Sequence, residues 1–286
     1  MSIQDIYNFF FEYKVYASFA AILRILYCSF FVGWFAYAIK DIWEFSKPYG
    51  VFNGKKYIEI SSTRLPQISL FNIFPNSKFF HQLIFILFFI FGLFSIIGFM
   101  TNISLLIFTI AFISIQSRVW VILITGGDPI SRMMLFSLIF IDCGSKYSVD
   151  SLLGYSSNLD FIDGWTIRLL QINICILYFF SAISKLKDKT WLNGDTVKYS
   201  IYSGTWGRRL FLNLCLKEWI WKSLTWSVLL FEYFVPILFG ISELRIFAII
   251  FGICFHLGTV IFMTIGSFGP IMILALLSFC NQYFIK

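Results

Sequence analysis

Eight stretches of this chain are apolar enough to lie in a membrane: residues 17–39, 79–99, 103–124, 129–142, 165–187, 224–241, 245–264 and 267–285. A helix needs roughly 20 apolar residues to cross about 30 Å of hydrocarbon, and most of the eight reach that length. The fourth has only about 14 residues, which suits a tilted, half-inserted or internally packed helix. Of the 286 residues, 59% are hydrophobic and 13% charged, against about 25% charged in soluble domains. Mean hydropathy is +0.81. A water-soluble fold could not bury this much apolar surface. The expected fold is an all-α integral membrane protein, a single polytopic bundle of seven to eight transmembrane helices over residues 1–286.

Asp5, Glu12 and Lys14 fall within the first sixteen residues, with no small-residue cleavage site. That is unlike a cleavable signal peptide, so the first apolar span is expected to act as the insertion signal. Breaks fall at Thr101-Asn102, at Gly126-Gly127-Asp128-Pro129, at Ser242-Glu243 and at Gly266. Two loops, 40–78 and 188–223, are long enough to cover one face, and they hold most of the cations. Eight crossings would place both on one side. The positive-inside rule puts that side in the cytoplasm and the acidic 143–164 loop (Asp150, Asp160, Asp163) outside. The net charge of +7 then describes loops facing anionic lipid or an acidic partner, not a nucleic acid.

Charges inside spans are costly, so each marks a candidate site. Those singled out are Arg24, Arg118, Lys185, Glu232 and His256. In the fifth span, Gln171, Tyr178 and Lys185 are spaced by seven, with Ser181 between them, so all four share one helix face. Ser114, Arg118 and Thr125 align similarly in the third span. Inward-facing polar stripes would enclose a pocket lined by these residues. Each also has a plainer reading. Arg24 could pair with Glu232, His256 could bond a neighbouring helix, and Lys185 could snorkel to the headgroups. Asp128 before Pro129 could be an N-cap and first helical residue, and Asp195 could cap the helix after it. Six cysteines, among them Cys143 and Cys215 near loops, form no CxxC pattern. With only His81 and His256 and no metalloprotease or nucleophile-elbow motif, no metal site is expected.

Six blocks, in order, resemble the HTTM (horizontally transferred transmembrane) family, whose best-known member is the vitamin K-dependent gamma-carboxylase. They are "AAILRILYCSFFVGW", "SIQSRVWVILITGGDPI", "YSVD", "YFFSAISKLKDKTWLNGDTV", "LLFEYFVPIL" and "ICFHLGTVIFMTIGSFGPIMI". The resemblance implies that Lys185 matches a lysine that serves as base in vitamin K hydroquinone chemistry. A desolvated lysine releases its proton more easily, which suits that task. Asp128 stands in the loop where the carboxylase has a catalytic-type histidine, and is carried as a second candidate catalytic residue. The carboxylase lysine is lumenal, which conflicts with the charge-based orientation.

The chain stops at Lys286 without the carboxylase's large extramembrane domain, and so looks closer to stand-alone SdpB-type members, which take part in producing a secreted peptide toxin. The resemblance therefore implies a role in production or maturation of a secreted peptide at the bacterial cytoplasmic membrane. The implied partners are membrane lipid, the peptide or its precursor, and an accessory protein. Two alternatives stay open: a membrane enzyme using a lipid-soluble quinol, and a non-enzymatic scaffold or immunity protein.

Overall fold

The computed structural model describes residues 3–50, 69–119 and 126–283. Its helices follow the apolar runs closely. In order they are α1 (Ile3–Phe11), α2 (Ala17–Tyr37), α3 (Ile39–Ser46), α4 (Lys78–Ile97), α5 (Thr101–Val119), α6 (Gly127–Ile139) and α7 (Val149–Leu152). Then come α8 (Trp165–Lys185), α9 (Lys189–Leu192), α10 (Thr196–Tyr202), α11 (Glu218–Gly240), α12 (Ser242–Phe262) and α13 (Phe268–Leu276). A 3-10 run, Leu277–Tyr283, continues from α13. One antiparallel ribbon, β1 (Lys14–Tyr16) with β2 (Phe161–Asp163), is the only sheet among the described residues.

Six helices are long and apolar enough to cross a membrane: α2, α4, α5, α8, α11 and α12. The other two apolar runs are shorter. Helix α6 has 13 residues, and Phe268–Tyr283 forms a shorter apolar helical stretch. The expected count of seven to eight spans thus depends on these two segments. Part of the 40–78 loop, residues 51–68, and Thr125 lie outside the described residues.

Packing divides the chain within α8, between Arg168 and Leu169. In the first unit, α4 packs on α2 and α5, and α5 on α6. Phe31, Phe35, Phe88, Phe108 and Phe112 fill the space between α2, α4 and α5, with ring centroids about 5 Å apart. A Cβ on Gly92 would meet Val32 Cγ2 at 2.6 Å and Phe108 at 3.0 Å, so the helices touch where that side chain is missing. α6 is mostly buried against this core, which answers how so short a segment is accommodated.

The acidic 143–164 loop is structural. Asp150 accepts from Met100 N (2.8 Å), Thr101 N (2.7 Å) and Thr101 Oγ1 (2.6 Å) at the start of α5, which satisfies orphan donors there. Asp163 pairs with Lys14 across the ribbon, and Asp160 lies 3.4 Å from Lys146.

In the second unit, α11, α12 and α13 pack in succession. Phe239 stacks on Phe279 at 3.9 Å. Gly252 and Gly269 let α12 and α13 approach, since a Cβ on either would meet the partner helix within 2.8 Å.

Gly98 ends α4 in the left-handed region at φ 70°, and a Cβ there would press on Ser148 and on the Arg24 guanidinium. Gly98→Ala is expected to destabilise the first unit by more than about 1 kcal/mol, read as a lower thermal midpoint in detergent. An unchanged midpoint would show that this corner yields.

Candidate functional site

Lys185 is the last residue of α8, yet its ammonium does not reach for water. It donates to both carboxylate oxygens of Glu232 and, at 3.0 Å, to Ser181 Oγ one turn back. The Trp191 ring lies 4.8 Å from Nζ and supplies a cation–π face. Only 20% of the lysine side chain and 5% of the glutamate side chain are accessible. Glu232 lies fourteen residues into α11, about 21 Å along its axis. Lys185 therefore meets α11 partway along that helix, held in an ion pair. Pro236 follows in the same helix; having no N–H, it removes the ladder donor for the Glu232 carbonyl.

Trp191 is held by its own short helix. Asp188 caps α9, accepting from Thr190 N at 2.8 Å. The Trp226 indole donates to Leu192 O at 3.1 Å, and Thr225 Oγ1 accepts from Val197 N at 3.3 Å. Gly194 turns the chain at φ 84° against Lys222. Asp195 does not cap α10 through its side chain, contrary to expectation; the capping carboxylate is Asp188, one helix earlier.

One turn or more below, Tyr178 OH and His256 Nε2 are 2.6 Å apart, both buried. A buried tyrosine hydroxyl needs an acceptor, and among the described residues His256 Nε2 is the group it meets. The ring proton is therefore assigned to Nδ1, which has no partner among the described residues. Gln171 donates to Ser278 O at 2.7 Å and thereby ties α8 to the C-terminal 3-10 run. Gln171, Tyr178, Ser181 and Lys185 all form side-chain hydrogen bonds within the second unit.

Candidates in the first unit have partners of their own. Arg24, fully buried, donates from Nη1 to Cys143 O (2.9 Å) and from Nη2 to Tyr147 O (2.6 Å). Arg24 thus finds its partners in these carbonyls, and Glu232 finds its own in Lys185. Arg118 is fully buried near the end of α5. Asp128 is not an N-cap, because α6 begins at Gly127 and puts it in the first turn. There the helix dipole favours its charge. It accepts from Gln116 Nε2 at 3.0 Å; the same nitrogen donates to Ser131 Oγ, and Gln116 Oε1 accepts from Arg132 Nε at 2.6 Å. Sequence reasoning missed Gln116 and Arg132, although both are polar residues in apolar runs. It also missed the Tyr178–His256 pair, because spacing places residues on faces without showing which helices meet.

The HTTM domain model matches residues 17–283, nearly the whole chain. The chain belongs to the HTTM family. Sporulation-delaying protein SdpB of Bacillus subtilis (strain 168) is 29% identical over 123 residues, covering 41% of this chain and 38% of SdpB. The chain thus spans less than half the length of that relative. No solved structure matches it. The six long apolar helices and the family together make this an integral membrane protein.

Breaking one side of a buried ion pair leaves an uncompensated charge, whereas replacing both is far milder. Lys185→Met and Glu232→Gln singly are each expected to destabilise by about 3 kcal/mol, and together by clearly less than their sum. Additive losses in thermal unfolding would show that the two groups do not interact. Burial pushes the Cys143 thiol up to about 12, while Cys215 is exposed. Maleimide at neutral pH is expected to label Cys215 and leave Cys143 unmodified until the protein is denatured; peptide mapping reads this directly.

Proposed function

We propose that this HTTM-family membrane protein acts in the production or maturation of a secreted peptide at the bacterial cytoplasmic membrane, with Lys185 and Glu232 as its working pair. The likeness to SdpB supports the peptide role, as the resemblance in the sequence blocks implies. The observation that carries the site is the lysine–glutamate contact deep along α11, closed by Trp191. Transfer of the ammonium proton to Glu232 leaves two neutral groups in a low-dielectric setting. The freed amine can then take a proton from a substrate, and Glu232 can return one to it. Ser181 holds the amine in line, and Trp191 limits water. Arg24 and the Asp128 cluster serve as supports for α2, α5 and α6 in this reading.

A non-enzymatic scaffold is the competing reading, favoured by the fact that Lys185 and Glu232 satisfy each other. Lys185→Arg separates the two, since arginine keeps the charge and cannot be deprotonated. Peptides in the culture medium are compared by mass spectrometry between cells carrying wild type, Lys185→Arg or no copy. The expected result is normal insertion with a peptide product reduced about 100-fold or more. Undiminished product would leave the lysine a helix clamp and sink the catalytic role.

A further inference from the structure

The segment that follows α8 through the first turns of α11, residues 186–223, carries seven cations and three acids. It closes over the ends of three spans of the second unit. It leaves α8 at Lys185 and enters α11 at Glu218. Between these points it is tied by backbone to the end of α12. Arg208 N donates to Phe262 O at 3.0 Å, Thr264 N donates to Trp206 O at 2.7 Å, and Gly207 bridges Met263. Phe211 packs on Phe262 at 4.7 Å. Where three spans end together, the chain lies at the bilayer surface, so this collar sits at headgroup depth.

The surface it offers has two characters at once. Trp206, Leu210 and Trp219 are 51%, 84% and 65% exposed, which suits neither open water nor a packed core. Lys187, Lys189, Arg209 and Lys217 are exposed, and among the described residues none has an acid partner. The acids nearby are largely engaged: Glu218 holds Lys198 at 2.6 Å, and Asp188 caps α9. Indole and leucine side chains next to unpaired cations match the boundary between acyl chains and phosphates. The cations make that match selective for headgroups with net negative charge.

We propose that the 186–223 collar is a binding site for anionic phospholipid headgroups, with Lys189, Arg209 and Lys217 on the phosphates and Trp206, Leu210 and Trp219 in the glycerol and upper acyl region. This does not depend on the role given to Lys185. Bound lipid would hold the collar down, and with it the α9 segment that carries Trp191.

The test uses the full-length protein in nanodiscs of phosphatidylcholine alone, or with roughly one-third phosphatidylglycerol. Anionic discs are expected to raise the thermal midpoint by at least about 2 °C. That rise should shrink by half or more at about 1 M salt, where the screening length is ~3 Å. The triple variant Lys189→Gln/Arg209→Gln/Lys217→Gln should keep the midpoint seen in phosphatidylcholine and lose the rise. Lys40→Gln/Lys78→Gln, two exposed cations of the first unit, should retain it. Equal midpoints in the two lipids overturn the proposal, as does a rise that survives in the triple variant or disappears equally in the control. A rise produced by added polyglutamate in phosphatidylcholine discs, with none from phosphatidylglycerol, would make the collar a docking face for an acidic peptide and would also overturn it.

Discussion

Hydrocarbon neither donates nor accepts hydrogen bonds, so each polar group that enters a span must find its partner within the chain. That constraint makes the spans helical and leaves little choice about the charged residues they carry. Arg24 shows one solution. Its guanidinium, buried in α2, takes two backbone carbonyls, Cys143 O and Tyr147 O. The same corner holds Gly98 in the left-handed region and Asp150 on the first donors of α5. One buried cation thus locks the turn between α4 and α5 to the loop after α6.

Lys185 and Glu232 show the other solution, side chain to side chain. A carbonyl-bound arginine is fixed in charge, because guanidinium holds its proton under all ordinary conditions. A lysine against a carboxylate can pass a proton within the pair without leaving a net charge behind. The two sites therefore suit different work. The first joins a side chain to backbone carbonyls, and the second joins two side chains on neighbouring helices. Trp191 adds an aromatic wall to the second site and is carried on a helix of only four residues.

The expected spans were legible to within a few residues because hydrophobic runs of this length have one physical outlet in a bilayer. The breaks at Thr101-Asn102 and Ser242-Glu243 fall where helices start, at Thr101 and Ser242. The start of α11 lies six residues before the apolar run, since Glu218 and Lys222 interrupt the run without breaking the helix. The plainer reading of Asp128 as an N-cap does not hold, because the helix begins one residue earlier, at Gly127, and the carboxylate accepts from Gln116 within the first turn.

The sequence by itself determined that this is an all-helical membrane protein with a few charged residues where lipid is excluded, because composition and run length depend on no contact between distant residues. It also placed Gln171, Tyr178, Ser181 and Lys185 on one face, through the 3.6-residue period. Partner choice was decided only by tertiary structure. Helical spacing cannot say that Lys185 meets Glu232, that Tyr178 meets His256, or that Arg24 takes carbonyls from a loop more than a hundred residues away. Those pairings depend on where helices cross, and crossings are set by side-chain shape along the whole of each interface.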